Sequence, residues 1–153
     1  MWGSTPPKSA ATAVQTYIYN LRKIFEKENL GPVFSDLLET RPPGYVLRTA
    51  DDQVDVKVFN RLTAQGQALL ESGQAQPASE VLNRALDMWA GPALANVQVG
   101  AILQPHIVYL EEQRISALEL RIKADMKLGR HRQMISELKS LVATFPLNEW
   151  FHA

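Results

Sequence analysis

An internal similarity between two segments, each interrupted by a glycine, constrains the fold of this 153-residue chain most strongly. When Gly73 is superposed on Gly129, the apolar positions that follow the two glycines coincide. The coinciding pairs are Ala78 with Met134, Leu82 with Leu138, Ala85 with Leu141, and Leu86 with Val142. Because these positions recur at helical spacing, each glycine is predicted to separate the two helices of a hairpin.

Apolar residues at helical spacing predict four helices in the second part of the chain. An antiparallel pair spans residues 59–70 and 78–89, and a second pair spans residues 107–128 and 134–145. Such pairs are typical of tetratricopeptide-like repeats. The offset between Gly73 and Gly129 exceeds the usual repeat length of about 34 residues, partly because a linker at 91–105 lies between the two pairs. Residues 147–153 are the expected opening of a third pair, so we expect a truncated C-terminus.

Residues 9–25 have the pattern of an amphipathic helix. Val14, Ile18, Leu21 and Phe25 line one face, which predicts a helix with one dry side. Polar residues lie opposite this stripe on a helical wheel, with Asn20 at its edge: Thr12, Thr16, Tyr19 and Lys23. From the pattern alone, this polar face is either simply solvated or a surface that makes several hydrogen bonds.

Two short extended runs, residues 37–40 and 45–49, flank a turn sequence and predict a β-hairpin. Pro43 and Gly44 suit the central positions of a type II turn, because Pro fixes φ and Gly tolerates positive φ. Arg41 would then project from the tip. From the pattern alone, it is either a solvated turn charge or a contact residue.

A polar, acidic stretch at residues 50–53 separates the β-type pattern from the helical one. We therefore expect an N-terminal domain at residues 1–49, a linker at 50–53 and a helical domain at 54–153. The formal net charge is zero, but residues 1–50 hold six bases against four acids, and the first 25 residues hold no acid. A nucleic acid would bind at the N-terminal end, because Lys and Arg supply most phosphate contacts.

The composition excludes several classes of protein. Gly91, Pro92 and Pro105 interrupt the longest uncharged stretch, so no membrane span is expected. The N-terminus lacks a basic segment followed by an apolar one, which argues against a secretory signal and for a cytoplasmic protein. The absence of cysteine excludes disulfides and thiol nucleophiles.

No metal, cofactor or catalytic site is predicted. His106, His131 and His152 are far apart in the sequence and have no cysteine near them, which makes a metal site improbable. The sequence has neither a Gly-rich phosphate loop nor a Gly-x-Ser-x-Gly elbow. We therefore expect a protein that is not an enzyme.

Several separate motifs, in the same order, resemble the Streptomyces antibiotic regulatory proteins (SARP transcriptional activators). They are Trp2-Gly3 with Pro6-Pro7, the helix ending at residues 18–23, the hairpin at residues 40–45 and the linker Gly91-Pro92-Ala93-Leu94. The resemblance implies a mainly α fold: part of an OmpR-type winged helix, consisting of a recognition helix and a β-hairpin wing, followed by a TPR-like bacterial transcriptional activator domain. Because nothing before Trp2 supplies the rest of a winged helix, we expect truncation at the N-terminus as well.

The resemblance also implies a function, that of an activator binding double-stranded promoter DNA as a homodimer and contacting RNA polymerase. Helix 9–25 would enter the major groove, and Arg41 at the wing tip would enter the minor groove. Glu39 beside Arg41 departs from the expected wing and would weaken its contact. The expected DNA-binding residues of the helix and its approach are Lys8, Thr12, Gln15, Thr16, Tyr19, Asn20, Arg22 and Lys23.

A second hypothesis is a protein interaction module without DNA binding of its own. The helical repeats would then form a concave groove for a peptide or a helix, and the N-terminal helix and hairpin would cap the stack.

Overall fold

The structure is a computed structural model that describes residues 6–97 and 99–144 and divides into two compact units. The first unit contains the described residues up to Val54 and a short segment ending at Leu103. The second unit contains Asp55–Val97 and the described residues from Gln104 onward. Within the described ranges, no helix has both the length and the apolar character needed to cross a bilayer.

The first unit consists of two helices, a hairpin and a single 3₁₀ turn. Helix α1 spans Ala10–Lys27 and helix α2 spans Gly31–Leu37. Strands β1 (Leu38–Arg41) and β2 (Gly44–Leu47) pair antiparallel, and the 3₁₀ turn spans Asp51–Gln53. The amphipathic helix and the hairpin predicted from the sequence are confirmed, whereas α2 occupies residues predicted as a loop.

Helix α2 is held by a ring contact and by the end of α1. The rings of Phe25 and Phe34 stack with centroids 3.9 Å apart and an interplanar angle of 10°, and Phe34 is buried. Helix α1 ends in a Schellman motif with Asn29 at φ 59°, in which the Leu30 amide donates to the Phe25 carbonyl at 2.8 Å. This seven-residue helix depends on tertiary contact, because isolated helices of that length are unstable.

The prediction that α1 has one dry side is wrong. No residue of α1 is buried: Val14, Ile18 and Phe25 are half-buried, and Leu21 is 41% exposed. Within its own unit the helix packs on the short α2, which covers only part of the apolar stripe. Tyr17 and Ile24 extend the exposed apolar surface of this helix.

The predicted type II turn is also wrong. Arg41 pairs with Gly44 in the strand register, so Pro42 and Pro43 are the two central residues of the turn. The peptide bond between them is cis, as in a type VI turn. Gly44 is the first residue of β2 and has no positive φ, because the pair of prolines forms the reversal instead.

The second unit contains the two helical pairs that the internal similarity predicted. The first pair is α3 (Asp55–Glu71) with α4 (Ala75–Leu86), and the second is α5 (Gln104–Lys127) with α6 (His131–Thr144). Together with the hairpin of the first unit, they confirm the predicted fold class, a mainly α chain with a helical repeat-like region. Trp89, predicted within the second helix, lies in the turn after α4, and Phe145 and residues 147–153 lie outside the described residues.

Both helical pairs turn in the same way. Gly73 and Gly129 have φ values of 79° and 73°, which a residue with a Cβ adopts at a cost. In the first turn the Gln74 amide donates to the Leu69 carbonyl at 2.8 Å, and in the second the Arg130 amide donates to the Asp125 carbonyl at 3.1 Å. Each helix therefore ends in a Schellman motif at the predicted glycine.

The core of the second unit comprises three apolar clusters along the helices. One joins α3, α4 and α5, a second joins the same helices nearer the Gly73 turn, and a third joins α5 to α6. Their buried members are Phe59, Leu62, Val81, Ala85 and Ala117; Leu70, Ala78 and Ala124; and Ile122 and Met134. Helices α3 and α4 approach closely at Gly66, where an added Cβ would lie 2.7 Å from Leu82 Cδ2.

A buried ionic network crosses the second unit. Asp125 on α5 is 5% exposed and accepts hydrogen bonds from Arg121 at 3.1 Å and from Arg130 at 2.9 Å. Ser79 of α4, 1% exposed, donates to the same carboxylate at 2.7 Å, and Arg121 also pairs with Glu137 of α6. The network therefore links α4, α5 and α6.

We predict that Gly66→Ala destabilises the chain. On a free helix surface this change stabilises by about 0.5–1 kcal/mol. Here the new methyl group overlaps the fully buried Leu82, and overpacking of this kind costs about 1–3 kcal/mol, so the sign reverses. Urea unfolding followed by far-UV circular dichroism would measure the change, with the exposed Gln65→Ala as the control. A Gly66→Ala variant as stable as the unsubstituted chain would contradict the close approach.

We predict that Asp125→Ala lowers the free energy of unfolding by about 3–5 kcal/mol, because it breaks a buried ion pair and removes the acceptor shared by Ser79 and two arginines. The exposed Glu112→Ala on the same helix removes the same formal charge and is expected to change the stability by less than about 0.5 kcal/mol. Thermal and urea unfolding of both variants measure the difference. Equal losses would mean that the network contributes nothing specific.

Candidate nucleic-acid interface

Four of the predicted DNA-binding residues form one exposed row along α1. The Thr16 hydroxyl donates to the Thr12 carbonyl at 2.9 Å, and the Lys23 ammonium lies 4.9 Å from the centroid of the Tyr19 ring. Because residues three or four apart on a helix are neighbours, the spacing of Thr12, Thr16, Tyr19 and Lys23 places these four side chains on one face. Tyr19 is 56% exposed and the other three are also exposed, so the row is open to a partner.

The electrostatics of this row favour a negatively charged partner. A hydrogen bond with Tyr19 raises the pKa of the Lys23 ammonium above its ordinary value. Like an ordinary exposed lysine, Lys23 is positively charged at neutral pH. The first turn of α1 has no acidic residue that would oppose an anion at the positive end of the helix dipole.

Three further predicted residues, two on the helix and one before it, lie near this row. Gln15 and Asn20 are exposed on its two flanks, and Lys8 is exposed in the turn before α1. All three side chains are therefore accessible to a partner.

Arg22 differs from the other predicted contact residues, because its guanidinium faces the hairpin. Its Nη2 donates to the Thr40 hydroxyl at 2.9 Å and to the Leu38 carbonyl at 3.3 Å, and the guanidinium carbon lies 6.0 Å from the centroid of the Tyr45 ring. Arg22 is half-buried. These contacts with Thr40 and Tyr45 are absent from the sequence prediction, although the hairpin register, which opposes the two residues, places them on one face.

Arg41 lies at the tip of the hairpin and is exposed. It is the last residue of β1 and is followed directly by the two prolines of the turn. Glu39, expected to weaken the Arg41 contact, forms an ion pair with Arg48, whose Nε donates to Glu39 Oε2 at 2.8 Å. The negative charge beside Arg41 is therefore compensated within the hairpin.

The second unit has a half-open cavity of about 370 Å³ beside the first helical pair. Phe59, Met88, Trp89 and Leu94 contribute apolar walls, and Asp55 contributes a carboxylate. The Trp89 ring packs edge-on against Phe59 at 5.5 Å, so this wall is held in place.

The segment that lines the cavity is anchored to α5. The Ala93 amide donates to Glu111 Oε1 at 3.0 Å, and Arg114 lies 5.1 Å from the Trp89 ring and 3.7 Å from Glu111. The cavity was not predicted from the sequence, because it depends on the path of a connecting segment without periodic pattern.

The described residues contain no group of three or more His, Asp or Glu side chains that could hold a metal ion. His106 and His131 are exposed at or near the starts of α5 and α6, and His152 lies outside the described residues.

Comparison with known proteins gives consistent matches along the whole chain. The regulatory protein DnrI of Streptomyces peucetius is 37% identical over 97% of this chain and 56% of its own length. The transcriptional regulator RedD of Streptomyces coelicolor is 34% identical over 99% of this chain and 43% of its own length. The chain thus spans about half the length of these curated relatives.

A solved structure has the same fold. The Mycobacterium tuberculosis protein EmbR, determined in complex with a low-affinity phosphopeptide, superposes with a TM-score of 0.86 at 28% identity. The match covers 97% of this chain and 38% of the EmbR chain. The helix, hairpin and helical pairs described above therefore occur together in an experimentally determined relative.

The family comparison identifies the helical region. The model of the bacterial transcriptional activator domain matches residues 54–153, which include α3 to α6 and both glycine turns. This match, with the relatives named above, supports the resemblance to SARP-type activators found in the sequence. The chain belongs to the family of the bacterial transcriptional activator domain.

Proposed function

We propose that the chain is a SARP-like transcriptional activator that binds double-stranded promoter DNA in a sequence-specific way. Residues 1–49 act as the recognition helix and wing of an OmpR-type winged helix, and residues 50–53 are the linker. Residues 54–153 act as the activator domain, which mediates dimerisation or contact with RNA polymerase. The protein acts on DNA as a homodimer.

The observation that carries this proposal is the exposed polar row on α1. The helix has 18 residues, and the major groove of B-DNA, about 12 Å wide, admits an α-helix. The Thr12 and Thr16 hydroxyls and the Asn20 amide suit hydrogen bonds with base edges, while Lys23 suits a phosphate. Gln15 and Tyr19 contribute further donors on the same surface, and Lys8 reaches a phosphate near the start of the helix.

The hairpin extends the proposed contact to the minor groove. Arg41 is exposed at the tip, and a narrow minor groove has a negative potential that attracts arginine. The ion pair between Glu39 and Arg48 keeps the Glu39 carboxylate from opposing this approach.

The names of the relatives support the same conclusion. DnrI is a regulatory protein, and RedD and EmbR are transcriptional regulators. Because this chain is similar to each of them over nearly its whole length, transcription regulation is the function proposed for it.

In vitro selection tests the proposal. The purified chain is incubated with a library of random-sequence DNA duplexes, and bound duplexes are recovered and amplified over several rounds. Binding of a fluorescent selected duplex and of a shuffled duplex of the same composition is then compared by anisotropy. We expect the selected duplex to bind at least about tenfold more tightly; equal affinities would refute sequence-specific binding.

The cavity of the second unit favours a second candidate function, that of a protein interaction module. Its apolar walls and its Asp55 carboxylate would suit a peptide segment with an apolar side chain and a nearby positive charge. Failure to enrich any DNA sequence in the selection would favour this alternative.

We predict that Asn20→Ala weakens binding to the selected duplex by about 1–3 kcal/mol and barely affects the shuffled one. The reason is that an amide paired with a base edge discriminates between sequences. Anisotropy titrations on the two duplexes measure this difference. Equal losses on both would remove Asn20 from the base-reading residues.

We predict that Lys23→Ala weakens binding to every duplex and lowers the salt dependence of log K by about one, since a phosphate contact releases about one counterion. Titrations at several salt concentrations measure the slope. The matched control is Lys139→Ala, which removes an exposed lysine from α6 and should leave the slope unchanged. An unchanged slope for Lys23→Ala would place its ammonium away from the DNA backbone.

A further inference from the structure

The Arg22 side chain connects α1 to the strand that ends in Arg41. Its two hydrogen bonds both reach β1, one to the Leu38 carbonyl and one to the Thr40 hydroxyl. Thr40 directly precedes Arg41 in the strand. The contact therefore holds β1 at Thr40, the residue next to Arg41, which is the proposed minor-groove contact.

Arg22 contacts one face of the hairpin at the residue pair next to the tip. Thr40 and Tyr45 oppose each other in the register, so their side chains lie on the same face, where the guanidinium contacts both. Side chains alternate along a strand, which places Arg41 on the opposite face. Arg22 can thus hold the hairpin without obstructing Arg41.

The position of Arg22 on α1 also separates it from the polar row. At about 100° per residue, Arg22 is rotated about 60° from Tyr19 and about 100° from Lys23. It is half-buried, whereas both of those residues are exposed. Its hydrogen bonds are made to protein atoms of its own unit.

We propose that Arg22 is a positioning residue that sets the distance between the recognition helix and the wing. With the polar row in the major groove, the Arg22 contacts hold Arg41 where it reaches the adjacent minor groove. Arg22 thereby gives the helix and the hairpin a fixed relative geometry and touches no DNA itself. This inference rests on the proposed function and replaces the DNA contact that the sequence alone predicted for Arg22.

A charge-conserving substitution separates positioning from direct contact. A phosphate contact tolerates Arg22→Lys, because both side chains carry one positive charge. Positioning does not, because a lysine side chain is shorter and has no planar guanidinium to lie beside Tyr45 while its end donates to β1, as Nη2 of Arg22 does. Thr40→Val removes the hydroxyl that accepts the Arg22 hydrogen bond, and valine has a similar shape and also favours strands.

The experiment measures the affinity and the salt slope of the full chain on a duplex selected in vitro. The variants are Arg22→Lys, Thr40→Val, Arg41→Ala and the double variant Arg22→Lys/Arg41→Ala. Arg48→Lys is the matched control, because Arg48 belongs to the same hairpin and pairs with Glu39 instead of α1. Amide exchange of the hairpin is measured on the same proteins without DNA.

We expect Arg22→Lys and Thr40→Val to lower the salt slope by about one, as Arg41→Ala does, although neither change alters the charge. The double variant should bind within about a factor of two of Arg41→Ala alone, because the two residues act through one contact. Hairpin amides should exchange severalfold faster in Arg22→Lys and Thr40→Val, and Arg48→Lys should retain the slope.

Four outcomes would overturn the inference. An unchanged slope in Arg22→Lys, or additive losses in the double variant, would show that Arg22 contacts DNA independently while leaving the proposed function intact. Unchanged hairpin exchange in both Arg22→Lys and Thr40→Val would show that the contact positions nothing, whatever the DNA result. Absence of selective binding by the unsubstituted chain would instead overturn the proposed function, and the inference with it.

Discussion

The helical unit depends on the buried carboxylate of Asp125. Its side chain accepts from two arginines and from Ser79, and its backbone carbonyl accepts the Arg130 amide that closes the Gly129 turn. The same residue therefore takes part in the turn after α5, fixes the side chain of Arg130 and connects α5 to α4. A carboxylate this deeply buried is tolerated because its partners replace the water that it loses.

The two helical pairs have the same turn geometry but are stabilised by different contacts. Both use a glycine at positive φ and a Schellman motif. Leu69 stands at the position in the first pair that Asp125 occupies in the second, and it packs among apolar side chains. The first pair is thus held by apolar packing and the close approach at Gly66, whereas the second adds an ionic network. The two helix ends have the same backbone geometry. Leu69 and Asp125 can therefore occupy equivalent positions although one makes apolar contacts and the other polar ones.

Sequence periodicity predicted the long helices and the two glycine turns because those features depend on local spacing and on φ. It could not predict α2, since a seven-residue helix lacks enough periodic positions and is held by the stack of Phe34 on Phe25. The turn was misassigned because Pro-Gly satisfies type II chemistry locally, while the strand register centres the reversal on Pro42 and Pro43. The Asp125 network was missed because pairings such as Ser79 with Asp125 join residues that are far apart in the sequence.

The candidate interface shows the same division between local and tertiary information. The exposed row from Thr12 to Lys23 follows from helix geometry alone, so a helical wheel was enough to find it. The orientation of Arg22 depends on where the hairpin lies, and only the fold places Thr40 within 2.9 Å of it. A basic residue on the flank of a helix can contact either a ligand or the protein itself, and its hydrogen-bond partners show which contact it makes. In the first unit, where α1 has no buried residue, the Arg22 guanidinium joins the helix to β1 by two hydrogen bonds, in addition to the apolar stack of Phe25 on Phe34.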